Sequence, residues 1–96
     1  MSIAANGWEI PDIQTITVKD GDAVMIDEYG DKLEFPKVLW IDTSVGKVDI
    51  DIYNSGPSGV WSRTLKPDFV MTIDGEPVKP GFHRISDADD GAIRIF

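Results

Sequence analysis

Thirteen aspartates, four glutamates, a single histidine and no cysteine are the residues from which this chain could build chemistry. Without a thiol there is no cysteine nucleophile, no disulfide and no thiolate-bound metal. With His83 alone there is no multi-histidine metal centre, and its setting, Gly81-Phe82-His83-Arg84-Ile85, reads as structural. Ser58 sits in Gly56-Pro57-Ser58-Gly59-Val60, where Val60 replaces the second glycine that a nucleophile elbow requires. Gly46-Lys47 lacks the upstream glycine of a phosphate loop, because Ile41 stands at that position. Ser44-Val45-Gly46-Lys47 matches a Ser-x-x-Lys string, which works from a helix, whereas here it falls on a turn. Asp87-Ala88-Asp89-Asp90-Gly91 begins like a calcium loop without the glutamate that would complete an EF-hand. A weak Ca²⁺ site of another geometry stays open there, beside the plainer reading of an Asp-rich turn. Asp49 and Asp51 stand at alternate positions, so on a strand their Cα atoms lie about 6.5–7 Å apart on one face. That face reads as turned to water, with no pocket implied. The expectation is therefore a protein without cofactor, metal or catalytic residues.

One segment resembles a known catalytic signature. Leu39-Trp40-Ile41-Asp42-Thr43-Ser44 is similar to the apolar-apolar-Asp-Thr-Gly motif of aspartic proteases. The resemblance implies a homodimer in which two Asp42 carboxyls share one proton. Ser44 replaces the motif's glycine, and the apolar-apolar-Gly segment expected downstream is absent. The plainer reading is a strand that ends in a turn capped by Asp42.

The aromatic residues point elsewhere. Trp8, Trp40 and Trp61 are many tryptophans for 96 residues. Trp40, among apolar neighbours, is expected in the core. Trp61 follows the loop-like stretch Asn54-Ser55-Gly56-Pro57-Ser58-Gly59 and precedes Ser62-Arg63. Trp and Arg dominate interface hot spots, so Trp61 and Arg63, with Asn54 and Ser58 from the loop, form the candidate binding site. A tryptophan that simply caps the core is the competing reading.

Behind these side chains the pattern is that of strands. Lys47-Val48-Asp49-Ile50-Asp51-Ile52-Tyr53 alternates apolar and polar residues, as do Thr15–Val18 and Ala92–Phe96. Val38-Leu39-Trp40-Ile41 is apolar throughout, as a strand covered on both faces would be. Asp20-Gly21, Asp74-Gly75 and Asp90-Gly91 are strong two-residue hairpin signals. The spacing predicts strands over 14–19, 22–28, 32–35, 37–43, 47–53, 69–73, 76–79 and 92–96. Residues 54–66 and 80–90 read as irregular, the second with room for a helical turn. The expected fold is all-β: residues 1–96 form a single small barrel or sandwich of about six to eight short antiparallel strands, with little or no helix.

The formal net charge is -8, with eleven acids and four bases in residues 1–51 against six and five thereafter. That balance argues against a phosphate-binding surface and direct nucleic-acid recognition. Asp20, Asp22, Asp49 and Asp51 are the candidate acidic face. The longest apolar run, Val38–Ile41, is far too short to span a bilayer, and the start lacks a signal-peptide pattern. A soluble protein of the cytoplasm, or of a virion if phage-encoded, is expected. The leading functional expectation is a non-catalytic protein-binding or assembly module, of the kind that serves as a structural or accessory protein of a phage or mobile element. It would act through the 54–63 loop region or an exposed strand edge, with a protein partner or further copies of itself. Three alternatives stand beside it: an acidic nucleic-acid mimic that inhibits a basic protein, a carbohydrate-binding module built on Trp61 or Trp8, and the Asp42 protease dimer.

Overall fold

In a computed structural model the described residues are 2–3, 9–52 and 60–85. Ten strands run in chain order: β1 (Ser2–Ile3), β2 (Glu9–Ile10), β3 (Ile13–Lys19), β4 (Asp22–Asp27), β5 (Lys32–Phe35), β6 (Trp40–Asp42), β7 (Lys47–Asp51), β8 (Val60–Ile73), β9 (Glu76–Pro77) and β10 (Phe82–Arg84). There is no helix among the described residues, and so none long and apolar enough to cross a membrane. β1 and β2 pair with each other. The other eight form one mixed sheet in the order β10-β6-β7-β8-β3-β4-β5, with β9 paired to β8. The all-β class is as expected. One pairing departs from the antiparallel rule: β3 and β8 run parallel, from Ile13↔Leu65 to Val18↔Ile73.

The turns follow from local chemistry. Asp20 and Gly21 have φ of 53° and 84°, and Asp74 and Gly75 have 50° and 84°. Two consecutive positive φ values match the twist of the flanking strands, which is why an Asp-Gly pair specifies a tight hairpin. The third such pair, Asp90-Gly91, and the strand expected over 92–96 lie outside the described residues. In the turn after β4, the Asp27 carboxylate accepts from the backbone N–H groups of Tyr29 and Asp31 at 2.8 and 2.9 Å.

Alternation places Ile16, Val18, Ala23 and Met25 on one face of β3 and β4, and Val48 and Ile50 on one face of β7, all fully buried. These faces, with Ile13, Val38, Ile41, Leu65 and Met71, make a single core. β8 links the two halves of the sheet. Its first part pairs with β7 and its last part with β3 and β9. Between them the register slips, because β3 advances from Ile13 to Thr15 while β8 advances from Leu65 to Val70. Pro67 sits inside this bulge, where its missing N–H leaves no gap in a ladder. The Gln14 side-chain amide donates to the Asp68 carbonyl there at 3.2 Å. The strand path ends at β10 on one side and β5 on the other.

Four expectations are corrected. The strand over 37–43 shortens to Trp40–Asp42, since Lys37 takes a left-handed conformation (φ 62°). Residues 60–66, read as irregular, belong to the longest strand, because pairing with β7 outweighs a weak local pattern. Residues 82–84 form a strand through pairing with β6 and not a helical turn. Asp51 is not on a solvated face, because it is wholly buried, with the Trp40 indole donating to its carboxylate.

Candidate functional site

From Val60 to Thr64, β8 pairs only with β7 among the described residues. Thr64 opposes Lys47, Arg63 opposes Val48, Ser62 opposes Asp49 and Trp61 opposes Ile50. One step further, the Leu65 N–H donates to the Gly46 carbonyl at 3.0 Å. Antiparallel ladders alternate between residues bonded to the partner and residues facing away from it. Leu65, Arg63 and Trp61 are therefore bonded towards β7, and the N–H groups of Ser62 and Thr64 and the Ser62 carbonyl point to the other side. On that side β3 pairs with β8 only from Ile13↔Leu65 onward. Continued backwards, the parallel register would set Pro11 against Arg63 and Ile10 against Ser62, and proline has no N–H to donate to the Ser62 carbonyl. The ladder with β3 ends at Ile13↔Leu65, so among the described residues no strand pairs with Ser62 on that side.

A groove of about 490 Å³ runs along this edge, lined by Ile10, Lys47, Trp61, Ser62, Arg63 and Thr64. Trp61 and Arg63 share the inner face of β8, two residues apart, and both are half-buried. Trp61 leans on Phe35 of β5, with ring centroids 4.5 Å apart at 53°. The Arg63 guanidinium lies 5.7 Å from the centre of the Trp61 ring. A cation over an indole face is held by the ring's quadrupole, so each side chain restrains the other. Arg63 Nε is enclosed and has no hydrogen-bond partner. A buried donor left without an acceptor costs about 1–3 kcal/mol. On the outer face, Lys47 Nζ is 3.8 Å from Asp49, with half of the lysine side chain exposed.

The structure thus brings Trp61 and Arg63 into one groove. Asn54 and Ser58 lie outside the described residues, as do Trp8 and residues 87–90. Ile10, Lys47, Ser62 and Thr64 are groove residues that the sequence reading missed. The alternation Trp61-Ser62-Arg63-Thr64-Leu65 is the signal that could have found the strand, and Pro11 the signal for where its pairing with β3 ends.

The candidate acids are dispersed. Asp20 and Asp22 flank the tip of the β3–β4 hairpin, where the Asp20 N–H donates to the Asp74 carboxylate at 3.2 Å and the Lys37 N–H to Asp22 at 3.2 Å. A second cleft of about 490 Å³ lies beside these turns, lined in part by Lys19, Asp20 and Asp74. Asp49 is half-buried on β7 beside buried Asp51. No group of three or more His, Asp or Glu residues suited to a metal ion exists among the described residues. Asp42 caps its turn, accepting from the Ser44 N–H at 3.0 Å. The His83 ring Nε2–H donates to the Lys79 carbonyl at 2.8 Å.

No protein-family model matches the chain, and neither a curated protein nor a solved structure is significantly similar to it.

Proposed function

We propose that this protein is a non-catalytic binding module that takes an extended segment of a partner protein as an added strand along the open edge of β8. The observation that carries this reading is the edge at Ser62 and Thr64, whose outward backbone groups have no paired strand among the described residues and lie along a groove that Ile10 also lines. Exposed edges are templates for strand addition, and native folds usually blunt them with charge, proline or short length. The outer edges are blunted in this way. β5 carries an exposed Lys32–Glu34 ion pair, β9 is two residues ending in Pro77, and β10 is three residues. The β8 edge has small polar Ser62 and Thr64 instead, beside Trp61 as an apolar anchor. In this mode main-chain hydrogen bonds supply affinity and the flanking side chains supply specificity.

The test is a displayed library of extended peptides panned against the whole protein, with binding read at backbone amides by NMR. Bound peptides should move the Ser62 and Thr64 amide signals. Ser62→Pro should abolish binding without unfolding the sheet, because its N–H is not used by β7 and proline is tolerated where N–H faces outward. Peptides that bind Ser62→Pro as well as the parent, or a panning that enriches nothing, would defeat the proposal.

A further inference from the structure

We infer that the segment this groove accepts is acidic, with a glutamate or aspartate carboxylate seated against Arg63 and supported by Lys47; the inference rests on the strand-addition reading. The groove's charge runs against that of the chain. Acids outnumber bases 17 to 9 in the sequence, yet the groove lining holds two bases and no carboxylate, although one of the bases, Lys47, stands 3.8 Å from Asp49. Arg63 forms no ion pair with any described residue, and its Nε is enclosed without a hydrogen-bond partner. The guanidinium also lies over the Trp61 ring, 5.7 Å from its centre. A planar guanidinium matches a carboxylate in two-point contact, and less ordering is lost on binding than with a flexible cation.

Strand geometry sets where the acid must stand. Side chains of an added strand alternate between the two faces of the sheet, and those on the inner face lie beside Trp61 and Arg63. An acid at one inner-facing position meets Arg63, and an apolar residue two positions away meets Trp61. Lys47 lies one strand further on, on the outer face, and contributes mainly through its field.

The experiment compares the residues enriched by panning and then a single selected peptide with its Glu→Gln (or Asp→Asn) analogue, by calorimetry and amide shifts. Acidic residues should be enriched at alternate positions. The neutral analogue should bind roughly tenfold or more weakly, as expected for loss of a charge-assisted hydrogen bond. Arg63→Gln should bring the two peptides to nearly equal affinity, and Lys47→Gln should narrow the gap without closing it. Because Arg63→Gln also removes a contact to Trp61, its melting temperature is measured alongside, and Lys47→Gln, an exposed change, provides the second reading. Equal binding of both peptides to the parent, with Ser62 still shifting, would overturn the acidic preference and leave strand addition standing. No shift at Ser62 with any peptide would remove both. Self-association by light scattering that Ser62→Pro abolishes would place a second copy on the edge, and so overturn the peptide occupant.

Discussion

The Trp40 indole N–H donates to the Asp51 carboxylate at 3.2 Å, across two paired strands, and the Asp51 side chain has no exposure to solvent. A buried carboxylate persists only where its oxygens are matched by donors. Asp51→Ala strands the indole donor and leaves a void, so it should lower stability by about 2–4 kcal/mol. Asp51→Asn keeps an acceptor oxygen and should cost less. Glu34→Ala, which loses only an exposed ion pair with Lys32, should change stability by less than about 1 kcal/mol. Urea unfolding of the three variants checks the ranking, and an Asp51→Ala protein as stable as the parent would contradict it.

Asp51 also marks where sequence reading stops. Alternation in β7 correctly sends Val48 and Ile50 to the core and puts Asp49 and Asp51 on the other face. What it cannot say is whether that face meets water. Trp40 lies on the same face, packed on Phe82 at 5.9 Å between ring centroids, and this tertiary cover buries Asp51. The Asp-Gly hairpins were legible because their backbone requirement is local. The β8–β7 pairing and the parallel β8–β3 pairing were not, because both join segments whose pairing is decided by the assembled core. The candidate site was legible in part: Trp61 and Arg63 were chosen for residue type, while Lys47 and the open edge follow only from strand order.

The two-residue turns can be tested by backbone alone. A Cβ on Gly21 would meet nothing within 4 Å, so Gly21→Ala carries no steric clash beyond its own φ of 84°. The expected cost is about 1–2 kcal/mol, from forcing an L side chain into the left-handed region. Lys37, exposed at φ 62°, is the opposite case. Lys37→Gly should be neutral to stabilising, by up to about 1 kcal/mol. Paired thermal melts of the two variants should move in opposite directions or show no change for Lys37→Gly. A large loss for Lys37→Gly would mean that the lysine side chain does more than occupy the surface.

Trp61 has two tasks, covering the core at Phe35 and presenting an indole to the groove. Trp61→Phe retains an aromatic contact with Phe35 and should cost under about 1.5 kcal/mol. Trp61→Ala should cost about 2–4 kcal/mol. Both remove the indole face on which the Arg63 guanidinium rests, so peptide affinity should fall in both, including the one that stays stable. A Trp61→Phe protein that binds selected peptides unchanged would show that the ring serves the core alone.

The open edge has a signature that needs no ligand. Amides bonded to a partner strand exchange slowly with solvent, and outward amides exchange fast. Trp61, Arg63 and Leu65 should be protected, with Ser62 and Thr64 exchanging much faster between them. The alternation should vanish on peptide binding, as Ser62 and Thr64 gain partners. Uniform protection of residues 61–65 in the free protein would mean that this edge is already covered.

The last prediction concerns approach to the groove. The protein measures 40 × 30 × 21 Å and carries a net charge of -8. At about 0.01 M salt the Debye length is roughly 30 Å, so an acidic peptide feels the whole repulsive charge. At about 0.15 M it shrinks to roughly 8 Å, and Arg63 and Lys47 dominate at contact. Association of an acidic peptide should therefore accelerate by a few-fold over that range, while its neutral analogue changes little. Dissociation should quicken modestly, because the carboxylate–guanidinium pair is only partly shielded by the groove. Stopped-flow measurement of both rates against ionic strength separates the two effects. An association rate that falls steadily with salt would mean that local attraction at Arg63 and Lys47 outweighs the net charge at every distance.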